Sequence, residues 1–142
     1  MITGVTKMMV YVLDQERAKR FYTDKLGFEV RTDVTLSEGC EGEGGGLRWL
    51  TVGPVGQPGF ELILADCAMD NDDQIADQMR ALVAKGVMSA GVLETDDCHA
   101  AFQELSSRGV TFLEEPAERP YGTEAVLRDD SGNWFSLTQP HR

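Results

Sequence analysis

Apolar and polar positions along the chain fall into a pattern that occurs twice. In Val5 to Phe28, VTKMMVYVLDQERAKRFYTDKLGF, an apolar run ends at Asp14, and Ala18, Phe21, Tyr22 and Leu26 then recur at helical spacing before Leu26-Gly27-Phe28 opens a new apolar segment. This predicts strand, helix, strand. Asp14 is placed to cap the helix, because its carboxylate can accept the unpaired N–H groups of the first turn. Glu16 adds charge of the sign favoured there, and Gly27 supplies a left-handed stop. The grammar returns in Ser89 to Phe112, where a run ends at Asp96-Asp97, Cys98, Ala101, Phe102 and Leu105 mark a helical face, and Gly109 precedes Val110-Thr111-Phe112. Two copies of one unit are the simplest account.

Each unit continues in strands. Glu29 to Leu36, Leu47 to Val52 and Phe60 to Ala65 follow the first, while Glu124 to Arg128 and Trp134 to Thr138 form a hairpin around the turn residues 129–133 in the second. Between them Asp72 or Asp73 caps a further helix with Ile75, Met79, Leu82 and Val83 as its apolar face and Gly86 at its end. The expected organisation is a single domain over residues 1–142, with modules 4–66 and 88–139 joined by a helical linker, 67–87. Ser37 to Gly46 is rich in Gly and Glu but lacks the G-K-[ST] ending of a phosphate loop, and its glutamates repel phosphate; it is expected to be a connector.

Composition narrows the function classes. With 13 Lys and Arg against 24 Asp and Glu, the net charge of −11 disfavours nucleic acid and anionic membrane surfaces as partners and permits a cationic ligand. No apolar run approaches the roughly 20 residues of a membrane span, and no signal-peptide core precedes the first strand, so a cytoplasmic protein is expected. Cys40, Cys67 and Cys98 contain no C-x-x-C pair and read as reduced thiols. Cys98 beside His99 does not make a nucleophile and base, because adjacent helical positions point about 100° apart.

The combination Val12-Leu13-Asp14, Ala18, Phe21-Tyr22, Leu26-Gly27-Phe28, Asp96, Gly109-Val110, Pro116, Gly122, Asp129, Gly132-Asn133 and Gln139 resembles the vicinal oxygen chelate superfamily of glyoxalases, bleomycin resistance proteins and extradiol dioxygenases. The resemblance implies an α+β fold, two βαβββ modules whose curved mixed sheets form a cup, usually in a homodimer. Metal-using members place ligands on the first and last strand of each module. Carried over by position, those sites fall on Lys7, Glu61, Ala90 and Ser136. A lysine and an alanine cannot coordinate a divalent ion, so no metal and no cofactor is expected.

Because residues two apart on a strand share a face, inward Lys7, Glu61, Ala90 and Ser136 bring Met9, Tyr11, Ile63, Val92, Glu94, Trp134 and Thr138 to the same side, and Trp49 joins them. The expected ligand-binding residues are Lys7, Met9, Tyr11, Trp49, Glu61, Glu94, Trp134 and Ser136. Indoles, a phenol and carboxylates suit a planar or cationic organic molecule. The leading expectation is a metal-free binding protein for an antibiotic or metabolite. The alternatives are a lyase, isomerase or dioxygenase-like enzyme with Glu61 as catalytic base or with an unrecognised metal site, and an accessory domain. An acid in an apolar strand must be paired or functional, and the expected partner of Glu61 is Lys7.

Overall fold

Two of the helices, one from each repeated unit, start on an aspartate held in extended backbone. Asp14 sits at φ −147°, ψ 110° and accepts from the Arg17 N–H at 2.9 Å; Asp97 sits at φ −146°, ψ 100° and accepts from the Ala100 N–H at 2.9 Å. The equivalent cap in the second unit is therefore Asp97 rather than Asp96. The computed structural model describes residues 1–36 and 46–141, so the Gly/Glu stretch from 37 to 45, Cys40 and Arg142 lie outside the described residues. The chain divides into two units, Met1–Arg80 and Ala81–Arg142.

The first unit holds β1 (Lys7–Val12), α1 (Gln15–Arg20), β2 (Glu29–Leu36), β3 (Leu47–Gly53) and β4 (Glu61–Asp66). Its sheet has the order β1-β4-β3-β2, with β1 parallel to β4 and the other neighbours antiparallel. Strand alternation sends even-numbered Val10, Val12, Leu50, Val52, Leu62 and Leu64 to one face, where α1 packs with Ala18 and the following π-helical turn supplies Phe21 and Tyr22. All are buried, each large side chain contributing roughly 1.5–3 kcal/mol relative to exposure. On this side Arg48 grips Asp33 through two hydrogen bonds of 2.9 Å, and Lys19 reaches the same carboxylate at 2.7 Å. Asp33 is held far below the usual carboxylate range, first by Arg48 and then by Lys19. Where the register of β2 shifts between Val30 and Thr32, Arg31 donates to the carbonyls of Pro54, Gln57 and Pro58, fixing the turn before β4.

Helix α2 (Asp73–Ala84) starts in the first unit and ends in the second. The predicted cap is Asp72, whose carboxylate accepts from the Ile75 N–H. Its expected face holds at Val83, buried at 1% exposure, and partly at the half-buried Met79, but Ile75 and Leu82 stand 44% and 45% exposed and Ala76 is buried in their place. Ile75 with Leu82 and Ala76 with Val83 form two adjacent stripes, each of residues seven apart, and apolar periodicity cannot choose between them; the stripe with the small Ala76 is the one that packs.

The second unit holds β5 (Ser89–Glu94), α3 (Cys98–Ser107), β6 (Thr111–Arg119), β7 (Gly122–Arg128) and β8 (Trp134–Pro140). Its order, β5-β8-β7-β6, repeats that of the first sheet, and β5 runs parallel to β8. Cys98, Val110, Ala125, Leu127, Phe135 and Leu137 are buried. The β7–β8 turn closes on Asp129, whose Oδ1 accepts from the N–H groups of Ser131, Gly132 and Asn133 at 2.9 Å each. Two α+β units of mixed four-stranded sheet are thus present. Among the described residues no helix is long and apolar enough to cross a membrane.

Candidate functional site

The odd-numbered face of the first sheet carries the residues singled out from the sequence. Lys7 lies opposite Glu61, Met9 opposite Ile63 and Tyr11 opposite Ala65, while Thr51 is opposite Ile63 on the other side of β4. Ile63, Ala65 and Met69 form a buried cluster against which Tyr11, Leu47 and Trp49 pack while remaining half-buried. Lys7, Met9, Tyr11, Trp49 and Glu61 therefore share one face. Both oxygens of Glu61 are engaged: Thr51 Oγ1 donates to Oε1 at 2.7 Å, and Lys7 Nζ lies 3.8 Å from Oε2. The Lys7 partnership is the one expected; the Thr51 hydroxyl was not anticipated.

The second sheet presents Glu94, Trp134 and Ser136 on one face. Val92 lies opposite Ser136 and Glu94 opposite Thr138, with Glu124 across from Thr138 on β7. Ala90 falls at a register shift between Ser89 and Gly91, and Ser89 is the residue that faces Trp134. The positional transfer to Ala90 assumed a regular strand, which Gly91 at φ 131° interrupts. Ser136 donates to Glu124 Oε2 at 2.5 Å, the Tyr121 hydroxyl donates to Glu124 Oε1 at 2.6 Å, and Arg119 Nε lies 3.8 Å from the same oxygen. These contacts hold Glu124 below the usual carboxylate range, Ser136 most, then Tyr121.

Sequence reasoning missed Glu124. The signal was available, since an acid within Glu124-Ala125-Val126-Leu127 is open to the same argument that picked out Glu61 from Glu61-Leu62-Ile63-Leu64.

The four family positions do not fit a metal. Lys7 sets an ammonium against Glu61, Ala90 offers no donor, and the Ser136 hydroxyl proton is committed to Glu124. Among the described residues no three His, Cys, Asp or Glu side chains converge to hold an ion. His99 and His141 are exposed. Cys98 is buried with its Sγ 3.5 Å from the Leu137 carbonyl, and burial pushes its thiol up, away from nucleophilic form.

The profile of the Glyoxalase/Bleomycin resistance protein/Dioxygenase superfamily matches residues 4–137. Among solved structures, the chain is similar to UcmS2, with 47% identity over 98% of this chain and 99% of that one and a TM-score of 0.89. It is also similar to TnmS3, described as an antibiotic binding protein from Streptomyces sp. CB03234, with 32% identity, 99% and 98% coverage and a TM-score of 0.72. An uncharacterized protein of Bacillus subtilis (strain 168), YetH, is 30% identical over 98% of this chain and 100% of its own length.

Proposed function

The chain belongs to the glyoxalase/bleomycin resistance protein/dioxygenase superfamily, and within it we propose a homodimeric, cytoplasmic binding protein that takes up a small planar or aromatic organic molecule without a metal. The observation that carries this is the odd-numbered face of the first sheet. Tyr11, Leu47 and Trp49 stay half-buried there against Ile63, Ala65 and Met69, while the even-numbered face holds the packed core. A half-open aromatic surface beside a few fixed polar groups is what a flat organic ligand requires, its body on the rings and its polar edge at Lys7 and Glu61, the latter held by the buried Thr51. Met9 borders this surface; in the second sheet, taken by itself, Glu94 and Trp134 share a face with Ser136, whose hydroxyl is spent on Glu124. The description of TnmS3 as an antibiotic binding protein supports a small-molecule ligand.

The geometry shifts the emphasis from a cation at Glu61 to the ring surface, because Lys7 and Thr51 already meet that carboxylate. The same pairing leaves catalysis by Glu61 without a supporting observation. The test is calorimetric titration of aromatic compounds, among them substituted naphthalenes and bleomycin-type glycopeptides, with sedimentation of the same samples. Micromolar binding by a dimer, weakened about tenfold or more by Trp49→Ala, is expected from the loss of one aromatic contact surface. Binding no better than millimolar, or affinity untouched by Trp49→Ala, would overturn the reading; a 15.6 kDa species alone would remove the dimer.

A further inference from the structure

The hydroxyls of the second sheet have a fixed direction. Ser136 Oγ lies 2.5 Å from a carboxylate oxygen of Glu124 and 3.0 Å from Thr138 Oγ1. A serine has one hydroxyl proton, and an ionised carboxylate can only accept, so the Ser136 proton points to Glu124. The proton between Ser136 and Thr138 must then come from Thr138. The chain runs Thr138 to Ser136 to Glu124, with Tyr121 donating to Glu124 from the other side at 2.6 Å. Tyr121, Arg119 and Ser136 together keep Glu124 anionic, which holds this direction in place.

Thr138 stands at the open end of that chain. It is half-buried, whereas Ser136 is buried, and its ladder partners on β5 and β7 are Glu94 and Glu124. With its own proton spent on Ser136, Thr138 Oγ1 offers the surface only lone pairs, and the exposed Glu94 beside it offers only acceptors. We infer that Thr138, oriented by Ser136 and Glu124 and flanked by Glu94, selects a bound molecule that presents a hydrogen-bond donor, a hydroxyl or an ammonium, and disfavours one that presents an acceptor at that point. Thr138 contacts the ligand; Ser136 and Glu124 are positioning residues. The inference rests on the small-molecule binding reading and concerns the face of the second sheet alone, where Trp134 stands half-buried on the same strand as Thr138.

The experiment compares three probes of one shape, 2-naphthol, 2-(aminomethyl)naphthalene and 2-methoxynaphthalene, by calorimetry on the native protein and on Thr138→Val, Thr138→Ser and Ser136→Ala. The two donor probes should bind about tenfold more tightly than the methyl ether, the size of one hydrogen bond made against one left unmade. Thr138→Val should bring the ratio close to one, and Thr138→Ser should restore it. Ser136→Ala should also shrink it, because the freed Thr138 proton can then turn outward and serve an acceptor. A purely structural role for Ser136 would weaken all three probes alike. Equal binding of all three to the native protein, or a donor preference that survives Thr138→Val, overturns the inference and leaves the binding function standing. If none of the three binds better than millimolar, the inference falls, and the binding function falls with it only when the glycopeptides also fail to bind.

Discussion

The two sheets carry the same polar pair with its ends exchanged. Thr51 lies across the ladder from Ile63, two residues beyond Glu61; Glu124 lies across from Thr138, two residues beyond Ser136. In the first sheet the acid is on the last strand and the hydroxyl on the third; in the second the acid is on the third and the hydroxyl on the last. Both pairs close, at 2.7 Å and 2.5 Å. The surroundings then diverge. Glu61 has a lysine beside it and an aromatic surface along its face, while Glu124 sits among the hydroxyls of Tyr121 and Ser136 with Arg119 near. Positions at which the resemblance implies metal ligands, Glu61 and Ser136, are thus each tied by a hydrogen bond across the same diagonal.

The largest expected effects lie in the turns that hold these strands. A Cβ built on Gly132 would lie 2.3 Å from the Val83 carbonyl oxygen, and one on Gly122 would lie 2.1 Å from that of Gln139, both at positive φ. Neither neighbour is a flexible side chain. Gly27, the stop after the first helix, also has positive φ, but a Cβ there meets nothing within 4 Å. Gly132→Ala and Gly122→Ala should each lower stability by about 3 kcal/mol or more, and Gly27→Ala by about 1 kcal/mol, in urea unfolding followed by circular dichroism. Equal costs at Gly27 and Gly132 would mean that backbone strain alone, and not the close approach, sets the requirement for glycine.

The repeated unit was legible because its signals are local. A capping aspartate, an apolar stripe and a left-handed glycine act within a few residues, so Asp14 with Gly27, and Gly109 with a cap at Asp96 or Asp97, could be read directly, the structure choosing Asp97. The odd-numbered face was legible for the same reason, since alternation on a regular strand needs no tertiary information. Three features were not. The shift at Ala90 breaks alternation without any composition cue beyond Gly91. The buried side of α2 is decided by which of two adjacent stripes meets the rest of the fold, information that lies outside the helix. The Glu124 pairings depend on a diagonal between strands, which becomes visible only when the register of β7 against β8 is known.

The smaller effects separate two ways of holding a carboxylate. Asp33 in the first unit is held by cations, Arg48 and Lys19, whereas Glu124 in the second is held chiefly by hydroxyls. Both carboxylates lie below their ordinary values, 3.8 for Asp33 and 4.5 for Glu124, so each contributes stability that is present above its ordinary value and lost as pH falls through its folded one. Stability should therefore decline below about pH 4.5 in the native protein. Asp33→Asn should remove about 2 kcal/mol at pH 7 by leaving Arg48 without its two-pronged partner, and should flatten the acid limb more than Glu124→Gln, which should cost about 1 kcal/mol. Salt gives the sharper distinction. At 1 M the screening length is about 3 Å, so the Asp33 contribution should shrink, while the Ser136 and Tyr121 hydrogen bonds to Glu124 do not depend on opposed charges. Measuring both variants in urea at low and high sodium chloride should show the Asp33→Asn penalty falling and the Glu124→Gln penalty holding. If the two penalties fall together, Arg119 and not the hydroxyls is the main support of Glu124, and the fixed direction of the Thr138–Ser136–Glu124 chain loses its anchor.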